Sequence, residues 1–99
     1  MGRVGFIWDL EDDRDGNYSH ICVEGHGVTR EEVEEVLAAN YDTATQSRSS
    51  GQPEAFGWTA SGKYLTVVFE MVADGPLTVY PITACEVPPP GPRKGRKRR

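Results

Sequence analysis

The hydrophobic pattern changes period several times along the chain, and each change marks an element. Residues 3–8 alternate, with Val4, Phe6 and Trp8 on one side and Arg3, Gly5 and Ile7 on the other. That spacing predicts a strand with one packed face. Over residues 17–25 the apolar positions Tyr18, Ile21 and Cys22 take helical spacing, which predicts a short helix ending at Gly25 or Gly27 and held by packing rather than by its own length. A second helix is predicted over residues 29–40, with Val33, Val36 and Leu37 as its apolar stripe. Its start is well marked. Thr29 and Glu32 have capping-box spacing, and Val28 and Val33 are placed as a hydrophobic staple. Glu31, Glu32, Glu34 and Glu35 crowd the first turns, where negative charge complements the helix dipole.

Alternation then returns. Residues 41–45 read as a short strand, residues 46–53 as a polar loop, and residues 54–60 as a further strand. The strongest strand covers residues 63–71, where Leu65, Val67, Phe69 and Met71 alternate with Tyr64, Thr66, Val68 and Glu70. One buried face and a central place in the sheet follow from that pattern. Residues 73–76 turn the chain into a last strand over residues 77–87, in which Pro81 calls for an edge position, a bulge or an end of regular pairing. The predicted fold class is α+β: an N-terminal strand, two consecutive helices, then an antiparallel meander of three to four strands, with the helices packed on one sheet face.

Length and charge refine this picture. A chain of 99 residues can bury one modest core, so residues 1–87 are expected to form a single domain. Residues 88–92, Pro-Pro-Pro-Gly-Pro, make a stiff extended spacer, and the basic tail beyond is expected to be disordered. Six of the eleven basic residues lie in that tail, at Arg93, Lys94, Arg96, Lys97, Arg98 and Arg99, so the body carries five basic and fifteen acidic residues, a charge of −10. Such a body repels phosphate backbones while the tail attracts them, or attracts an acidic partner. No apolar run approaches the roughly 18 residues of a membrane span, and the N-terminal residues lack the basic and apolar regions of a signal peptide. A soluble, cytoplasmic protein without a membrane partner is expected. Cys22 and Cys85 are too few for a disulfide framework and are expected as buried small hydrophobes.

Several segments together carry a resemblance. Phe6-Ile-Trp-Asp9, Gly16-Asn17, His20-Ile21 and the run from His26 to Leu37 are followed by Ser47-Arg-Ser-Ser-Gly51, Phe56-Gly-Trp-Thr59, Gly62-Lys-Tyr-Leu65 and Val79-Tyr-Pro-Ile-Thr-Ala84. In this order they resemble the BrnT family of bacterial toxins, within the RelE/ParE-like superfamily, over residues 4–87. The resemblance implies a small sheet with two N-terminal helices, metal-independent ribonuclease activity on messenger RNA as part of a type II toxin-antitoxin system, and neutralisation by an antitoxin partner, BrnA. The chain would be a divergent, acidic member. Typical members are basic and carry an Arg-rich run where Ala84 is here followed by Cys85-Glu86-Val87.

Metal-free RNA cleavage needs a base for the ribose hydroxyl, an acid for the leaving oxygen and cations for the developing charge. His20 and His26 are candidate proton carriers, since imidazole titrates near neutrality; Arg48 and Lys63 are candidate phosphate cations. Each has a structural reading beside the catalytic one: His20 on a helix surface, His26 bonding helix-end carbonyls, Arg48 solvated in its Ser-rich loop, Lys63 guarding a turn. Glu35 and Tyr64 could also serve as base or acid. Trp8 and Trp58 read as core strand positions, with base stacking as their alternative. No metal or cofactor is expected. Residues 11–17 fail the calcium-loop pattern at both ends, and His20, Cys22, His26 and Cys85 have zinc-ligand chemistry without a recognised spacing. Two functions stand open: a toxin-like endoribonuclease acting on RNA, or a non-catalytic binding module using its acidic helix face for a protein partner or its basic tail for nucleic acid.

Overall fold

The computed structural model describes residues 4–25 and 27–90. Expectations placed on Arg3, His26 and the basic tail fall outside those residues. The fold is α+β, a five-stranded sheet with helical structure packed on it. Its strands are β1 (Gly5–Phe6), β2 (Thr45–Gln46), β3 (Pro53–Trp58), β4 (Tyr64–Asp74) and β5 (Leu77–Glu86), in the spatial order β1-β5-β4-β3-β2. The antiparallel meander of three to four strands expected from the sequence does not account for the whole sheet. β2 to β5 pair antiparallel in succession, but β1 lies parallel to β5 and makes the sheet mixed. The helical segment between β1 and β2 crosses a sheet face, which lets the first strand run alongside the last in the same direction. β4 is the third of five, the central place its pattern predicts.

Helix α1 (Arg30–Asn40) begins as its sequence requires: Thr29 Oγ1 accepts the Glu32 amide at 3.1 Å, and Glu32 Oε1 accepts the Thr29 amide at 3.0 Å. Together they satisfy two otherwise orphaned backbone donors. The shorter helical segment is a wide π-type turn at Ser19–Val23, closed by the Glu24 amide on the Ser19 carbonyl at 2.9 Å. Residues 41–43 differ from expectation. They extend α1 with a tighter 3₁₀ turn, starting where the Tyr41 amide bonds the Leu37 carbonyl, and only Thr45–Gln46 is left to pair as strand.

One core joins the layers. Ile21, Val28, Val33, Val36 and Leu37 meet Ala55, Leu65, Val67, Phe69, Val79 and Ala84, all buried. Both staple residues, Val28 and Val33, are in it. α1 approaches β3 at Gly57 so closely that a Cβ there would run into the Asn40 amide and Val36; a residue without a side chain is what permits this distance.

Two bulges shape the β4–β5 hairpin. The first falls between Val68 and Phe69 and leaves Ile82 as the extra residue beside Pro81. Of the three readings of Pro81, the bulge is the one found: β5 is an inner strand, and the Pro81 ring is fully buried opposite Phe69. The second, between Met71 and Ala73, lies past the last β3 pairing, Glu54 with Val68. There the hairpin outruns its neighbouring strand. Met71, expected on the buried face, is consequently half exposed.

Candidate functional site

The candidate residues occupy separate parts of this scaffold. Lys63 lies at the turn between β3 and β4, where its ammonium donates to the Gly27 carbonyl and, at 3.1 Å, to Glu32 Oε1. Ser61 Oγ donates to the other Glu32 oxygen at 2.7 Å, and Glu35 Oε2 accepts the Ala60 amide at 2.8 Å. Burial would raise the Glu32 pKa, but donors from Ser61, Thr29 and Lys63 outweigh it and hold the carboxyl below its ordinary value. These bonds clamp the β3–β4 turn onto the start of α1. Lys63 thus spends its charge inside the fold.

Arg48 is exposed in the loop over residues 47–52. Its serine neighbours serve the loop: Ser47 and Ser49 hydroxyls bond each other, and Ser50 Oγ accepts the Gln52 amide. Arg48 precedes β3 and Lys63 follows it, so a six-residue strand, about 17 Å long, separates their positions along the sheet. His20 lies on the π-type turn, which packs against β5, two strands away from β3. Its Nδ1 is 3.7 Å from Glu24 Oε1, and both side chains are more than half exposed. Among the described residues no hydrogen bond or ion pair links His20, Arg48 and Lys63 to one another. His26 lies outside the described residues.

The acidic helix face is also largely engaged. Glu32 and Glu35 hold the turn, and Glu34 Oε2 accepts the Trp8 indole N–H at 2.8 Å. Arg30 rests 5.4 Å from the Tyr18 ring centroid and reaches Glu11 at 3.8 Å. Trp8 meets Tyr18 edge-on with centroids 6.3 Å apart, so it takes the packed position expected of it.

A polar network that the sequence did not signal sits where β1 ends. Asn17, 4% exposed, donates through Nδ2 to the carbonyls of Ile7 at 3.0 Å and Pro81 at 2.9 Å. Its backbone amide donates to Asp9 Oδ2, while its Oδ1 accepts the Asp9 amide, both at 2.9 Å. The side chain thereby replaces sheet pairing that β1 is too short to supply. Tyr80 donates its hydroxyl to Asp9. That bond, with the Asn17 amide, holds Asp9 below its ordinary pKa, and chiefly through the same carboxylate Tyr80 is pushed up to about 12. The network satisfies itself internally.

The opposite face of the sheet carries the largest departure from expectation. Trp58, read as a core position, is 56% exposed, and Phe56 is 41% exposed. Both point away from α1 because their neighbours Ala55 and Gly57 take the helix side of β3. Tyr64 lies between them, stacked on Phe56 at 6.3 Å and tilted against Trp58 at 5.1 Å. Cross-strand pairing sets out the rows: Trp58 opposite Tyr64, Phe56 opposite Thr66 and Cys85, Glu54 opposite Val68 and Thr83. Cys85, expected buried, is exposed on this face, while Cys22 is half-buried and its thiol pKa is raised by burial. The alternation around Phe56-Gly-Trp58 is the sequence signal for this ledge, since a glycine between two aromatics leaves both on the same side.

Among the described residues no group of three or more His, Cys, Asp or Glu side chains is placed to hold a metal ion, and no helix is long and apolar enough to cross a membrane. No family model, curated protein or solved structure matches the chain.

Proposed function

We propose that this chain is a non-catalytic binding module on a BrnT-like scaffold, and that its partner is a basic protein. The observation that carries this reading is the separation of His20, Arg48 and Lys63, with Lys63 committed to Glu32 and Gly27. General acid–base catalysis at a phosphodiester needs its groups within hydrogen-bonding reach of one reacting centre. These three share none. The body charge of −10 adds to the argument, because it disfavours a polyanionic substrate and favours a cationic protein surface.

The second reading is the metal-independent endoribonuclease, restrained by an antitoxin. It is favoured by the resemblance over residues 4–87, which includes the segments bearing Arg48 and Lys63. One experiment separates the two. The full chain is expressed inducibly beside an Arg48→Ala, Lys63→Ala variant, growth is followed, and purified protein is incubated with messenger RNA. The binding-module reading expects neither growth arrest nor cleavage, together with salt-sensitive binding to a poly-lysine probe. Cleavage by the wild-type chain that disappears in the double variant would overturn it.

A further inference from the structure

We infer that the basic tail, residues 93–99, docks on the aromatic ledge of its own chain. The ledge of Phe56, Tyr64 and Trp58 is the broadest aromatic surface left uncovered among the described residues. The last backbone bond of the sheet lies beside it. Val87 donates its amide to the Tyr64 carbonyl at 2.9 Å, so the chain leaves the sheet in the row that holds Tyr64 and Trp58. Trp58 is then only two strands across from the exit point, about 10 Å at the usual strand spacing.

Reach is sufficient. In the sequence Gly91 interrupts the run of prolines at 88–92, and glycine is the residue at which a chain turns back at least steric cost. Residues 93–99 extended cover about 23 Å, more than the width of the ledge. Charge favours the same contact: the tail carries six cations and the body −10, with Glu54 in the next row of the ledge face. Lys63, next to Tyr64 in the chain, is taken by Glu32 and Gly27. Arginine over an aromatic face is a favourable geometry, and the fold already contains one case, Arg30 over Tyr18. A single-stranded RNA could stack on the same rings, but its phosphates would meet the negative body; the tail meets an opposite charge.

The Trp58 indole N–H gives a direct readout by NMR, assigned with a Trp58→Phe variant, while the Trp8 indole bonded to Glu34 serves as an internal reference. The full chain is compared with a full-length variant whose six tail cations are replaced by glutamine. Docking expects the Trp58 signal to move on neutralisation of the tail, to move the same way when salt is raised toward 1 M, where screening shortens to about 3 Å, and not to depend on protein concentration. The Trp8 signal should stay in place. A Trp58 signal indifferent to both changes overturns the proposal. So does a shift that grows with protein concentration, which assigns the ledge to the tail of a second copy. A shift seen only when an oligo-uridine probe is added overturns it in favour of nucleic acid.

Discussion

Phe69 and Phe56 compare the two faces of one sheet with the same side chain. Phe69 is fully buried against the helical layer, in the cluster that includes Val79 and Leu37, whereas Phe56 is 41% exposed and leans on Tyr64 alone among the aromatic pairs it makes. The helix side is closed; the open side holds aromatic area that no helix covers. A surface kept apolar without serving the core is available for binding. The strongest way to break the comparison is Phe69→Ala, expected to cost about 3–5 kcal/mol by urea unfolding. For a domain this small, such a loss approaches the whole stability. A cost under 1 kcal/mol would mean that the helix face is not the core.

Asn17 extends the closed side into a polar device. Its side chain satisfies two carbonyls and one amide at the end of β1, so Asn17→Ala leaves buried groups unpaired and is expected to cost about 2–3 kcal/mol. Thr29→Ala removes half of the capping box and should cost about 1 kcal/mol. These two variants test whether the closed side depends on polar fastening as well as on apolar burial.

Much of the closed side was legible because its logic is local. A capping box is written within four residues, and Val33, Val36 and Leu37 show their stripe within five. The aromatic ledge is not legible for the converse reason: Trp58 has strand spacing, and spacing cannot tell which of two faces a helix will cover. Gly57 decides it, by admitting α1 to its own side of β3. Asn17 carries no such local signal, because both carbonyls it satisfies become its neighbours only when β1 ends early and β5 is bulged, a coincidence across 64 residues of sequence. Chemical type and resemblance mark the candidate catalytic residues but say nothing of convergence, and Lys63 has its partners in Glu32 and Gly27.

Titration tests the polar fastenings directly, since the shifted carboxyls belong to the Asn17 network and to the capping box. Asp9 and Glu32 have folded pKa values below their ordinary 3.8 and 4.5. The unfolded chain therefore binds more protons in that window, and the stabilisation they give is present above about 4.5 and lost as pH falls through the depressed values. Tyr80 has the opposite sign: raised from 10.0 to about 12, it contributes below 10 and fades as the phenol ionises in the fold. Tyr80→Phe should flatten the alkaline limb of the stability profile, and Asp9→Asn should flatten part of the acid limb, both read by urea midpoints across pH.

The smallest effect on stability is expected from the open side itself. Trp58→Ser removes a ring that is 56% exposed and touches Tyr64 at a tilt, so the loss is confined to an aromatic pair worth about 0.5–1.5 kcal/mol and should fall near its lower end. The same variant should alter binding far more than folding, because the exposed ring is the largest apolar contact the ledge can offer. Measured together, an unfolding midpoint close to wild type and a lost ledge interaction would place Trp58 with the binding surface. A midpoint displaced as far as that of Phe69→Ala would instead place it with the core, and the distinction between the two faces would fail.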